Sequence, residues 1–124
     1  MIERRHVQSL DGARQAQVVA TDELIFFSGI HPESPDGDVK EQTRSALARV
    51  DALLAEMGES QASILMVHVW LKDMRYFGAM NAAWNHWADP DDPPARTCVS
   101  GELYRPDLLV EFVVTACRTT REQA

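Results

Sequence analysis

Apolar residues recur at two periods along this chain, and the switches between them mark out its elements. Residues 15–20 and 23–28, QAQVVA and ELIFFS, are short apolar runs separated by Thr21-Asp22, the signature of two antiparallel strands joined by a tight polar turn. The second run is apolar on both faces, which places it inside a sheet. Ser28-Gly29 ends it, and HPESPDGD follows as a loop with two prolines and an Asp-Gly. From Asp38 the period becomes helical. Asp38 and Glu41 stand in the D-x-x-E relation of a capping box, and Val39, Ala46, Leu47, Val50, Leu53, Leu54 and Met57 share a face up to Gly58. Residues 64–72, ILMVHVWLK, are β-branched and apolar and read as a strand, with a buried helix the alternative that period alone leaves open. Asp73 caps a second helix over residues 74–88. DPDDPP stops that helix and forces an extended approach to Ala95. Strands at residues 96–103 and 109–117, with YRPD as the turn between them, close the chain, and a further strand is expected at residues 2–7. This order predicts an α+β fold, a single sheet with two helices on one face.

Length and charge narrow the function classes. The 124 residues suit one domain, residues 1–124, burying roughly two-thirds of the surface of the unfolded chain. A net charge of −7, with 12 scattered basic residues, disfavours nucleic-acid binding but leaves room for a pocket in which one or two arginines hold a small anion. The N-terminal stretch MIERRHVQSLDG lacks the apolar core of a signal peptide, and no apolar run approaches membrane-spanning length. With Cys98 and Cys117 falling in the last two strands as reduced, buried thiols, a cytoplasmic protein without membrane partners is expected.

His6, His31, His68 and His86 form no H-x-x-x-H pair and flank no cysteine pair, so no metal site is expected. The tryptophans of WNHW, three apart on the second helix, read as a packing stripe rather than a ligand cage. Asn81 on that helix could cap, pack or reach into a cleft. Cys98 lies two residues from Arg96 and so on the same strand face, where a neighbouring cation would lower the pKa of a nucleophilic thiol; no histidine or aspartate flanks it in a cysteine-enzyme pattern, so packing or backbone contact is the preferred role. Arg96 and Glu111 are the sharper pair, single charges in apolar strands where burial penalises charge. If the last two strands are neighbours joined by YRPD, the two form a structural ion pair. In the functional reading the planar fork of Arg96 receives a substrate carboxylate and Glu111 holds a water.

The stretches SG at 28–29, QTRSALARVDALLAEMGES at 42–60, VWLKDMRYFGAMNAAWNHW at 69–87, PPARTCV at 93–99 and LLVEFVVTA at 108–116 together resemble the RidA/YjgF family of enamine/imine deaminases. The most specific part is the arginine with a cysteine two residues on, followed by a glutamate in the last strand. The resemblance covers nearly the whole chain and implies a chorismate-mutase-like mixed sheet, assembled as a homotrimer with a site in each cleft between subunits. It further implies that Arg96 clamps the carboxylate of a small 2-imino acid, that Glu111 positions the hydrolytic water, and that Ser28, Gly29, Asn81 and main-chain groups near Cys98 line the cleft. The product would be a 2-keto acid and ammonia, with no cofactor. Two departures stand out. Where many family deaminases carry Gly-Pro-Tyr before the first hairpin, this chain has GARQAQ, with Gln15 near the tyrosine position and Arg14 beside it as a candidate substrate contact; and Ile30 replaces the usual glutamine after Ser-Gly. These departures make a non-catalytic, carboxylate-binding or protein-binding member the alternative.

Overall fold

Two consecutive residues at positive φ, Asp11 at 49° and Gly12 at 86°, make the first tight turn. Asp-Gly suits a two-residue hairpin loop, whose twist matches that of the flanking strands. It joins β1 (Glu3–Leu10) to β2 (Ala13–Ala20), with Leu10 directly opposite Ala13. The first strand thus runs three residues beyond the expected residue 7. The Thr21-Asp22 turn follows, with Thr21 Oγ1 accepting from the backbone N–H groups of Glu23 and Leu24, and leads into β3 (Leu24–Phe27), paired on β2. The computed structural model describes residues 1–119.

Helix α1 (Val39–Glu56) begins where Asp38 Oδ1 accepts from the Glu41 N–H at 2.9 Å, a cap worth about 1 kcal/mol. It ends in a Schellman motif: Gly58, at φ +72°, donates to Ala55 and Glu59 to Leu54, satisfying two terminal carbonyls. After β4 (Ile64–Leu71), a 3₁₀ turn capped by Asp73 runs into α2 (Phe77–Trp87); β5 (Ala95–Ser100) and β6 (Val110–Cys117) complete the fold. Trp84 is buried on Phe112 of β6, ring centroids 6.1 Å apart and nearly parallel, so the tryptophan stripe packs helix on sheet.

The six strands form one mixed sheet in the order β1-β2-β3-β6-β4-β5, parallel only between β4 and β5. The last two strands are therefore not neighbours, because β4 lies between them. The reason is the crossover through α2, which returns the chain parallel to β4. Residues 101–109 then wrap the end of β4, with Gly101 N–H donating to Leu71 and Lys72 N–H to Leu109, both at 3.0 Å. YRPD belongs to this wrap and is not a hairpin turn.

Alternating residues of the sheet, among them Val18, Ile25, Phe27, Val67, Val69, Phe112 and Val114, bury one face under both helices. No helix covers the other face among the described residues. There Phe26, Trp70 and Val99 remain 45%, 38% and 40% exposed. No described helix is long and apolar enough to cross a membrane.

Candidate functional site

The site on the open face begins with an irregularity in strand pairing. Phe26 pairs with Thr115, but four residues later Ile30 bridges Phe112, with reciprocal N–H···O bonds of 2.7 and 3.0 Å. Residues 27–29 thus stand opposite only 113 and 114, a bulge that re-aims the residues after it. Continued past this bridge, the register sets His31 directly across from Glu111.

The two side chains meet there. Glu111 Oε1 and His31 Nε2 are 2.5 Å apart, with the side chains 21% and 15% exposed. A carboxylate only accepts, so the imidazole Nε2–H donates. The carboxyl lies against Gly29, where a Cβ would come within 2.7 Å of Glu111 Cδ, so the missing side chain makes room for the acid. His31 is held from two further directions: Arg49 Nη1 on α1 donates to its carbonyl at 2.9 Å, and the Tyr104 ring lies tilted against the imidazole at 5.1 Å. Leu10, Asp11, Ala13 and Gln15 complete the lining of a cavity of about 400 Å³ with Gly29, His31, Tyr104 and Glu111.

Arg96 lies elsewhere. It pairs with Val67 on the edge strand β5 and turns toward α2, its guanidinium carbon 5.1 Å from the Trp84 ring and 5.8 Å from Phe77, with Nη1 3.7 Å from Met80 Sδ. These faces stack the cation without neutralising it. No carboxylate among the described residues pairs with it. Asn81, on the same helix, keeps its Oδ1 buried without a hydrogen-bond partner. Cys98 shares the Arg96 face and packs on the core; burial pushes its thiol pKa up, with the Arg96 charge opposing only in part. A raised pKa disfavours the nucleophilic thiolate.

The structure thus brings the candidates together as two groups. Gly29 and Glu111 sit on the open face, while Arg96, Cys98 and Asn81 belong to the helix side at the β5 edge. Within one chain the two key charges point to opposite faces, which removes the structural ion pair. Ser28 Oγ is occupied by Gln17 Nε2 at 2.9 Å, and Arg14, opposite Ser9 near the hairpin tip, is exposed and faces away from Gln15 and its cavity. Sequence reasoning overlooked His31, Tyr104 and Gln17 as site residues. Only the His-Pro following Ser-Gly hinted at the first, and nothing local at the others.

Comparison with known proteins agrees over most of the length. The family model described as Endoribonuclease L-PSP matches residues 10–118. A RutC family protein from Haemophilus influenzae is 35% identical over 108 residues, 86% of this chain and 93% of the relative. A protein of Acinetobacter baylyi named 3-aminoacrylate deaminase RutC is 33% identical over 101 residues, 77% of this chain and 79% of its own. The crystal structure of a YjgF-family protein from Neisseria meningitidis superposes with a TM-score of 0.88 at 33% identity, covering 98% of both chains. With its sheet, its two helices and its length so matched, the chain belongs to the RidA/YjgF family.

Proposed function

We propose that this protein is a cytoplasmic hydrolase that deaminates 2-imino and enamine acids to 2-keto acids and ammonia, in clefts between the subunits of a homotrimer. The observation that carries the reading is the guanidinium of Arg96, stacked on Trp84 and Phe77 of α2 with no carboxylate partner among the described residues; the same helix carries the orphaned Asn81 Oδ1. A stacked arginine fork with no acid partner is suited to a ligand carboxylate, held bidentately. Glu111, aimed into a cavity on the opposite face, meets that carboxylate's reacting end only if a second copy supplies it. The Acinetobacter baylyi relative, named for a deaminase of an amino-substituted unsaturated acid, supports the same chemistry.

In the proposed reaction, water oxygen bonds to the C=N carbon while Glu111 takes a proton from the water and the nitrogen gains one. The C–N bond then breaks, ammonia leaves with the bonding pair and a proton, and the hydroxyl loses its own proton to become the keto oxygen. The imine carbon is already electrophilic, so this route calls on no cofactor. Orientation and proton transfer supply roughly a hundred- to ten-thousandfold acceleration. A ribonuclease activity, suggested by the family model's description, is disfavoured by the net charge of −7.

Gln15 favours a second reading, since it lines the cavity beside Glu111 where many family deaminases place a tyrosine. A member that binds carboxylate metabolites without turning them over would keep Arg96 and tolerate that loss. Imines generated by an amino-acid oxidase, with semicarbazide competing for them, separate the two. Acceleration of keto-acid formation supports the deaminase; tight 2-keto-acid binding without acceleration of any imine supports the binding protein.

A further inference from the structure

We propose that His31 is the positioning residue for Glu111, committing Oε1 to the imidazole and leaving Oε2 to take the water. The inference rests on the deaminase reading and adds to it a residue that acts through Glu111. A free glutamate side chain rotates about its terminal bond and presents either oxygen, which spreads a bound water over several positions. Here the bulge brings His31 into register with Glu111, and the Nε2–H bond of 2.5 Å holds one oxygen. Backbone at Gly29 closes one side of the carboxyl plane.

His31 is itself restrained well enough to hold another group. Pro32 restricts its backbone to extended conformations, Arg49 grips its carbonyl, and Tyr104 lies against its ring. A hydrogen bond to an ionised carboxylate is short and strong, and partners that orient metal-ligating side chains matter about ten- to a hundredfold, the scale taken for His31 on Glu111. Glu111 lines the cavity together with Gly29 and His31, and the oxygen not committed to the imidazole is the one assigned to accept water from it.

The bond runs through Nε2 rather than Nδ1, which sets the test. Glutamine places its amide N–H near the position of Nε2, whereas asparagine stops one bond short. In the full-length protein, with an imine that the unmodified protein accelerates, His31→Gln is expected to keep kcat within about threefold. His31→Asn and His31→Leu are expected to lose roughly ten- to a hundredfold in kcat with KM and pyruvate binding unchanged. Retained kcat in His31→Asn, a loss in His31→Gln as large as in His31→Leu, or a change confined to KM would each overturn the assignment. Should His31→Leu fail to fold, the two polar variants carry the comparison. Absence of acceleration by the unmodified protein overturns the deaminase reading and this inference with it, whereas acceleration indifferent to all three substitutions overturns this inference alone.

Discussion

At Gly29 an added Cβ would lie 2.7 Å from Glu111 Cδ, and the atom it meets is the far end of a flexible side chain. Gly29→Ala should therefore fold with a small change in Tm while the carboxyl swings off His31, lowering kcat by at least about tenfold. Imine kinetics beside a thermal melt check this, and a melt that collapses would mean that the backbone of the bulge, not the carboxyl, gave way. Arg96→Lys tests the other group. Lysine keeps the charge but loses the planar fork that stacks on Trp84 and that the proposed clamp needs to hold both carboxylate oxygens, so kcat/KM should fall by more than about tenfold with folding intact. Near-normal kcat/KM on every accepted imine would dismiss the clamp. Both charged residues were legible in the sequence because each interrupts an apolar strand. His31 was not, because its meeting with Glu111 depends on a bulge between residues distant in the chain, which no local period reveals.

Elements show the same division between local and distant information. Helix α1 could be read end to end, from the Asp38 cap to Gly58, because caps and apolar spacing are properties of neighbouring residues. The placement of β6 could not, since pairing beside β3 and β4 rather than β5 is decided by the α2 crossover and by how residues 101–109 round the end of β4. Gln42 explains how that wrap is secured. It sits on the buried face of α1, 1% exposed, a polar interruption of the apolar stripe. Its Nε2 donates to the Pro35 and Asp107 carbonyls at 2.8 and 3.0 Å, and its Oε1 accepts from the Leu109 N–H at 2.8 Å. One side chain thus ties to α1 both the loop that follows His31 and the segment that carries Tyr104. Gln42→Leu conserves size but strands three backbone groups, so it should destabilise by about 2–3 kcal/mol in urea denaturation. A loss below about 0.5 kcal/mol would show that water or loop movement satisfies those groups instead.

At the scale of the whole molecule, the opposite orientations of Arg96 and Glu111 and the half-exposed apolar face of the sheet point to the same arrangement. A single sheet with Phe26, Trp70 and Val99 open to solvent gains stability by covering them. The proposed homotrimer would cover them, and its shared site requires one subunit's Arg96 to lie near the next subunit's Glu111. Sedimentation at micromolar concentration should then show three chains, and a persistent monomer would defeat the shared site. Subunit mixing gives the sharper test. Arg96→Lys homotrimers lack the clamp in every cleft, and Glu111→Gln homotrimers lack the acid in every cleft, so each preparation alone should be nearly inactive. In hybrids, a cleft that takes Arg96 from a Glu111→Gln chain and Glu111 from an Arg96→Lys chain has both groups intact. Random equal mixing after joint refolding makes about a quarter of all clefts complete, so activity should return to about a quarter of the unmodified level. If both residues served one site within the same chain, every chain would still lack one group and mixing would restore nothing.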